Sequence, residues 1–303
     1  MEGKLKIAHI VNIYNAPSSS ELSWVQPVTF ESMKVARNFS RDRVEVELFS
    51  AQYPEDRTVV PSYFTKTMDL EDSVLNYNKF DFSRKLPLIG DILNRLPVDS
   101  AADYFIYTNV DIALMPFFYD TVYDIIHKGY DAFIINRRTI SNEHILSSDL
   151  HYMYAEAGTI HPGLDCFIFK KDFLHSFQLG KICIGAGFIG AAMLGNLIAF
   201  STKMKIFRDL HATFHIGDDG IWKQDKFQEY TKFNYDELVP ILDAFLLHES
   251  VASNPEKVKL ILKLKDDIDR STWGKPKKTP APLVSLSFKK RVVNRLIHLL
   301  QKI

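Results

Sequence analysis

The sequence is poor in cysteine. Only Cys166 and Cys183 occur among 303 residues, each inside an apolar run, which leaves no basis for a disulfide framework or a thiolate metal cluster. It has no Gly-x-x-x-x-Gly-Lys-Ser/Thr loop, no His-Glu-x-x-His helix and no Gly-x-Ser-x-Gly elbow. P-loop, zinc-protease and elbow-serine chemistries therefore lack their motifs. Long apolar runs are also missing, except Ile182 to Thr202. That stretch holds four glycines and Asn196, so it is expected to be a loop feeding a buried helix and not a membrane span. The opening MEGKLKIAHIVNIY has no small-residue cleavage site after its one short apolar stretch, and it reads as a first strand and not a signal peptide. Net charge is absent too, since 37 Lys and Arg balance 37 Asp and Glu.

What is abundant is core-forming material: 46% hydrophobic residues, with 22 Phe, 13 Tyr and 3 Trp. Such a composition can offset the entropy cost of folding, and the length suits one large domain or two smaller ones. The neutral total hides an asymmetry. Residues 256–303 hold 13 Lys and Arg against 4 Asp and Glu, so the preceding residues carry nine excess acids. Positive charge confined to a tail, with no aromatic-basic surface elsewhere, makes nucleic acid a poor partner.

Residues 5–13 (LKIAHIVNI) have the Ile/Val richness of a buried strand, and YNAPSSSELSW follows as a turn-rich loop. Near-helical apolar spacing from Thr29 to Phe39, then alternation in RVEVELFSA, predicts a βαβ opening. The stretch from Pro54 to Asp81 has broken periodicity and is expected to lie over the surface, where it could cover a site. A short helix is predicted over 86–96. Next come a strand in YFIYTNVDIAL (104–114), a helix over 117–130, a strand in DAFIINRR (131–138) and another in GLDCFIFKKDFL (163–174). AAMLGNLIAFST predicts a buried helix, 203–222 an apolar strand leading into a His/Asp-rich loop, and 235–249 and 256–265 further helices. WGKPKKTPAPLVS reads as a linker before a basic amphipathic helix. Polar residues gather where predicted strands end, as in open α/β sheets.

Several constellations can carry chemistry. Asn109 and Asp111 stand two apart after a strand, where a carboxylate can hold a divalent cation and through it phosphate oxygens, or merely end the strand. In HATFHIGDDGIW, His211 and His215 share a face whether the segment is helical or extended, while Gly217, Asp218, Asp219 and Gly220 form a turn able to close over a ligand. Arg137 and Arg138 offer planar cations for phosphate or carboxylate, or a surface ion pair. Asp165 lies inside an apolar run, where an acid is costly unless paired or used. GAGFIG (185–190) matches the dinucleotide pattern, but only four residues before it can form a strand. Close packing of a turn explains its glycines better.

In this order, the βαβ opening, YFIYTNVDIAL, DAFIINRR, HPGLDCFIFKKDF and HATFHIGDDGIW resemble a glycosyltransferase of the GT-A fold, most similar to bacterial enzymes that build surface polysaccharides. The resemblance spans roughly residues 5–222. It implies an α/β, GT-A-like sandwich with a mostly parallel central sheet and a C-terminal helical extension. The expected division is a catalytic domain over 1–235, a helical extension over 236–272 and a linker with basic helix over 273–303. It also implies a nucleotide-diphospho-sugar donor whose pyrophosphate is held by Mn²⁺ or Mg²⁺ on an Asp-x-Asp motif. Here that motif would be Asn109-Val110-Asp111, with Asp111 as principal ligand and His215 or His211 as its partner. Asn12, Asn15 and Asn109 would lie near the nucleotide, and Arg137 or Arg138 near the diphosphate. If the enzyme inverts, Asp165, with Asp218 behind it, would serve the acceptor hydroxyl as general base; if it retains, Asp165 would orient the acceptor instead. The acceptor would be a saccharide or lipid-linked saccharide. The expected location is cytoplasmic, with the C-terminal helix touching the inner face of the membrane or a second subunit. The alternatives are a nucleotidyltransferase acting on a sugar phosphate and a non-catalytic partner-binding protein.

Overall fold

The computed structural model describes residues 4–96, 100–217 and 224–271. In chain order the elements are β1 (Leu5–Asn12), α1 (Leu22–Phe39), β2 (Val44–Ala51), β3 (Thr65–Lys66), α2 (Ile89–Leu93), β4 (Tyr104–Thr108), β5 (Ala113–Leu114), α3 (Phe118–His127), β6 (Ala132–Ile135) and β7 (Arg138–Ile140). They continue with α4 (Leu150–Ala155), β8 (Thr159–Ile160), β9 (Cys166–Lys170), α5 (Ile189–Phe200), β10 (Met204–Phe207), β11 (Thr213–Ile216), α6 (Gln228–Leu247), α7 (Glu249–Ala252) and α8 (Pro255–Arg270).

The strands build two sheets. The larger has seven strands in the order β10-β6-β9-β4-β1-β2-β3, and the smaller has four in the order β5-β11-β7-β8. Both are mixed: β9 runs antiparallel between β4 and β6, and β11 pairs antiparallel with β5 but parallel with β7. The expected single GT-A-like sandwich around one mostly parallel sheet is thereby corrected to an arrangement of two distinct mixed sheets. The physical reason lies in the chain breaks. β4 gives way to β5, β6 to β7 and β10 to β11 after only two to five intervening residues, and β8 precedes β9 in the same way. Runs that look like one strand in the sequence, such as YFIYTNVDIAL, are each split between the two sheets.

Successive side chains of β1 point to opposite faces of the sheet, and both faces are buried, so the strand is largely apolar along its length. Ala8 and Ile10 join a core with α2, α5, α6 and α8 residues, while Ile7 and Val11 pack with Phe30, Met33, Phe118 and Val122 from α1 and α3. His9 shares the second face. Its Nδ1 meets the Tyr119 hydroxyl and its Nε2 the Thr108 hydroxyl, both at 2.9 Å. Burial pushes this imidazole down to about 3, so it is neutral.

The segment predicted to lie over the surface, 54–81, contributes β3 and two short 3-10 helices, and it buries Leu70, Val74 and Phe80. The boundary expected at 235 falls inside α6. Asn254 begins α8 by accepting from the Glu256 and Lys257 amides, with Pro255 at the first helical position. Among the described residues no helix is long and apolar enough to cross a membrane. The expected linker and basic helix, 273–303, lie outside the described residues.

Candidate functional site

The four chain breaks between the sheets gather at one edge. β1, β4 and β6 end there, and antiparallel β9 begins there, with Cys166 opposite Thr108. Asn109 to Asp111, Asn136 with Arg137, and the segment from His161 to Asp165 are thus neighbours, although far apart in sequence. This is where strand ends leave backbone and side-chain polar groups unclaimed by a ladder.

Asp111 faces His215 of β11, with Oδ2 and Nε2 3.5 Å apart. His215 Nδ1 lies 3.0 Å from the Gly217 carbonyl. A carbonyl can only accept, so Nδ1 carries the proton and a neutral ring turns a lone pair toward the carboxylate. Two acceptors in that position call for a cation between them, either a proton on Nε2 or a metal ion. Burial alone would raise the Asp111 carboxyl, but the hydrogen bond and charge of His215 outweigh it and hold the group below the usual range. Burial likewise opposes charge on His215, yet Asp111 wins and the imidazole is raised. The other Asp111 oxygen, Oδ1, is enclosed and has no hydrogen-bond partner among the described residues. An unfilled carboxylate oxygen beside an imidazole lone pair fits a divalent cation. No cluster of three or more His, Cys, Asp or Glu suited to a metal occurs among the described residues, so two side chains would leave most coordination positions to ligand or water oxygens.

Arg137 is only 2% exposed, and its Nη1 lies 2.9 Å from Asp165 Oδ2. A buried guanidinium paired with a buried carboxylate fixes both groups in orientation. His161 completes this side. Its two ring nitrogens both face donors, Nδ1 the Gly163 amide at 2.9 Å and Nε2 the Arg137 Nη2 at 3.4 Å. Gly190, in the first turn of α5, approaches the same segment so closely that an added Cβ would stand 3.0 Å from Leu164 Cβ. Gly190 of GAGFIG therefore serves packing, while Gly185 takes a left-handed turn with a φ of +75°. The loop is latched to α6 through Thr231 and the fully buried Asn234, whose side chain bonds to Cys183 and Gly187.

The loop after β1 opens a cavity of about 370 Å³ lined by Tyr14, Asn15, Gln26, Phe30, Pro61 and Tyr63, among others. Gln26 bonds to both the amide and the carbonyl of Tyr14, and the Asn15 amide donates to Asp56 at 2.8 Å. Burial raises the Asp56 carboxyl, with the Asn15 amide opposing. The Tyr14 phenol is raised, chiefly by burial. Ile13 to Ala16, which line the cavity, directly follow β1, so the cavity opens at the same sheet edge as Asn109 to Asp111 after the neighbouring, parallel β4. Arg84 has no carboxylate partner among the described residues; its guanidinium lies over Phe227.

Asp111, His215, Arg137, Asp165 and Asn109 share this edge, and Asn15 lines the adjoining cavity. The other expected site residues are engaged elsewhere. Asn12 ends β1 at this edge, but its buried amide donates to the Ala51 carbonyl. Arg138 is engaged by Asp209 and by the Ala157 and Gly158 carbonyls. His211 precedes β11 with a φ of +48°, which breaks the extended run expected to align it with His215. Burial, with nearby Arg138, lowers its imidazole. Asp218 lies outside the described residues. Tyr14, Gln26, Asp56 and Arg84 are site neighbours that sequence reasoning missed; only Tyr14, directly after the first strand, carried a positional signal.

No protein-family model matches the chain, and neither does any curated protein. Solved structures do. The chain aligns with residues 1–349 of S. aureus TarS in complex with UDP-GlcNAc at a TM-score of 0.51 and 12% identity, covering 88% of this chain and 74% of that one. The same TarS fragment in another crystal structure aligns at 0.50 and 12% identity, covering 96% and 78%. A glucosyl-3-phosphoglycerate synthase from Mycobacterium tuberculosis, in complex with Mn²⁺, UDP and phosphoglyceric acid, aligns at 0.44 with 11% identity over 78% of this chain and 79% of that one, too distant to bear on this one. At such identities the likeness is one of fold: the chain shares the fold of the TarS 1–349 fragment.

Proposed function

We propose that the protein is a glycosyltransferase that moves a sugar from a nucleotide-diphospho-sugar to a hydroxyl acceptor, a saccharide or lipid-linked saccharide. The observation that carries this reading is the Asp111–His215 pair, with an unfilled carboxylate oxygen, at the strand ends beside a nucleoside-sized cavity. A fold shared with a protein crystallised with UDP-GlcNAc supports it.

In this reading the cavity after β1 takes the base and ribose. Tyr14 offers a ring face and Asp56 stiffens the loop through the Asn15 amide. Arg84 meets the diphosphate as a cation without a carboxylate partner among the described residues. Asp111 and His215 hold a divalent cation, which supplies charge stabilisation for the leaving diphosphate. Arg137 keeps Asp165 in place, and Asp165 orients the acceptor hydroxyl or takes its proton as the new bond to the anomeric carbon forms. The sequence-predicted basic tail, 273–303, brings the enzyme to an anionic membrane surface or to a second copy. Deleting residues 273–303 and measuring vesicle binding and molecular mass separates the two.

The test is a thermal-shift screen of UDP-, GDP-, ADP-, CMP- and dTDP-sugars with and without Mn²⁺. A ligand at a hundred times its Kd stabilises the folded state by about 2.7 kcal/mol, or about 5–10 °C in Tm for a chain of this size. A shift with one nucleotide-sugar that grows when Mn²⁺ is added is expected. No shift with any of them would remove the reading.

A further inference from the structure

Tyr107 lies inside β4 and is 1% exposed, packed against Phe167. Its hydroxyl donates to Asn109 Oδ1 at 2.9 Å, and no other acceptor for that proton stands among the described residues. A buried hydroxyl must place its proton somewhere, so this bond fixes which way round the Asn109 amide sits. The oxygen turns toward Tyr107. The amide nitrogen has no acceptor among the described residues and is not an enclosed atom, so it is open to solvent at this sheet edge, two residues from Asp111.

An amide binds a cation through its oxygen and an anion through its N–H groups. We propose that Asn109 donates a hydrogen bond to a diphosphate oxygen of the nucleotide, is held in that orientation by Tyr107, and is not a ligand of the cation. The proposal rests on the nucleotide-sugar reading and divides the Asn109-Val110-Asp111 segment into two tasks. Asp111 with His215 meets the cation, and Asn109 meets the anion. Tyr107 is a positioning residue. An acid at 109 would keep the Tyr107 bond, because a carboxylate oxygen accepts as an amide oxygen does, but it would replace the donor with negative charge beside the diphosphate.

Asn109→Asp and Tyr107→Phe test this. The probes are Mn²⁺ alone, followed by electron paramagnetic resonance, and whichever of UDP, GDP, ADP and dTDP binds the unchanged protein, titrated calorimetrically with Mn²⁺ present. The matching nucleoside without phosphates serves as the control ligand. Asn109→Asp is expected to weaken the nucleoside diphosphate at least fivefold, to leave the nucleoside within twofold, and to change Mn²⁺ affinity by less than tenfold. Tyr107→Phe is expected to weaken the diphosphate by a smaller factor of at least twofold, again sparing nucleoside and Mn²⁺, a pattern that general loosening of the fold would not give. Tightening of Mn²⁺ by tenfold or more in Asn109→Asp would make position 109 a cation seat and overturn the proposal. So would a diphosphate affinity unchanged in that variant. If no nucleoside diphosphate binds the unchanged protein, the nucleotide-sugar reading itself fails and the proposal falls with it.

Discussion

His9 makes stability depend on pH in a way that can be calculated. Its imidazole is fully buried between Thr108 and Tyr119 and is pushed down to about 3, against an ordinary 6.5. Above pH 6.5 the group is neutral in both folded and unfolded chains and contributes no pH dependence. Below it the unfolded chain binds a proton that the folded chain refuses, so stability falls as pH falls from 6.5 toward 3. At pH 5 the loss is about 2 kcal/mol, from 1.5 pH units at about 1.4 kcal/mol each, and it is the same for any folded value below about 4. His9→Gln can satisfy both hydroxyls without titrating. Urea unfolding of the two proteins at pH 8 and pH 5 isolates the histidine, because the carboxylates common to both cancel. With a slope of about 3 kcal/mol per molar urea, the unchanged protein should lose about 0.7 M more in midpoint than the variant. Equal losses would refute the assignment of a buried, neutral His9.

Further outcomes follow from the packing and from the site. Asn234→Ala removes three buried hydrogen bonds to Cys183 and Gly187 and is expected to cost about 3 kcal/mol in urea unfolding, since the backbone groups left behind lose their partners. Mn²⁺ binding should tighten as pH rises through the raised range of His215, because the metal must displace a proton from Nε2. Proton release on Mn²⁺ addition, measured in weakly buffered solution, checks this. His215→Gln should abolish that pH dependence.

The sequence made the βαβ opening legible because β1 and β2 are apolar, β-branched runs separated by one amphipathic helix. It also marked Asp111, Asp165, Arg137 and His215, since polar residues inside apolar runs are informative about burial and pairing. The second sheet was not legible. Ala113–Leu114 and Arg138–Ile140 are only two and three residues long, too short for hydrophobic periodicity to mark them as strands of another sheet, although the Thr-Asn-Val-Asp break before the first was visible. His211 was grouped with His215 by spacing, but a positive φ breaks the alignment, and nothing in a histidine's neighbours announces such a φ. Asp56 sits in a stretch without periodicity, where only its bond to the Asn15 amide reveals its place beside the loop after β1. The Arg137–Asp165 pair joins segments brought together by the pairing of β6 with β9 and of β7 with β8, contacts that no local pattern encodes.

The central claim is that the Asp111–His215 pair and the adjoining cavity form the donor site of a glycosyltransferase. Its most direct test is release of sugar from the nucleotide-sugar selected by thermal shift, with Mn²⁺, by the unchanged protein and by Asp111→Ala. The account predicts turnover by the former and a loss of at least a hundredfold in the latter, with melting temperature changed by only a few degrees. Equal turnover by the two proteins would contradict it.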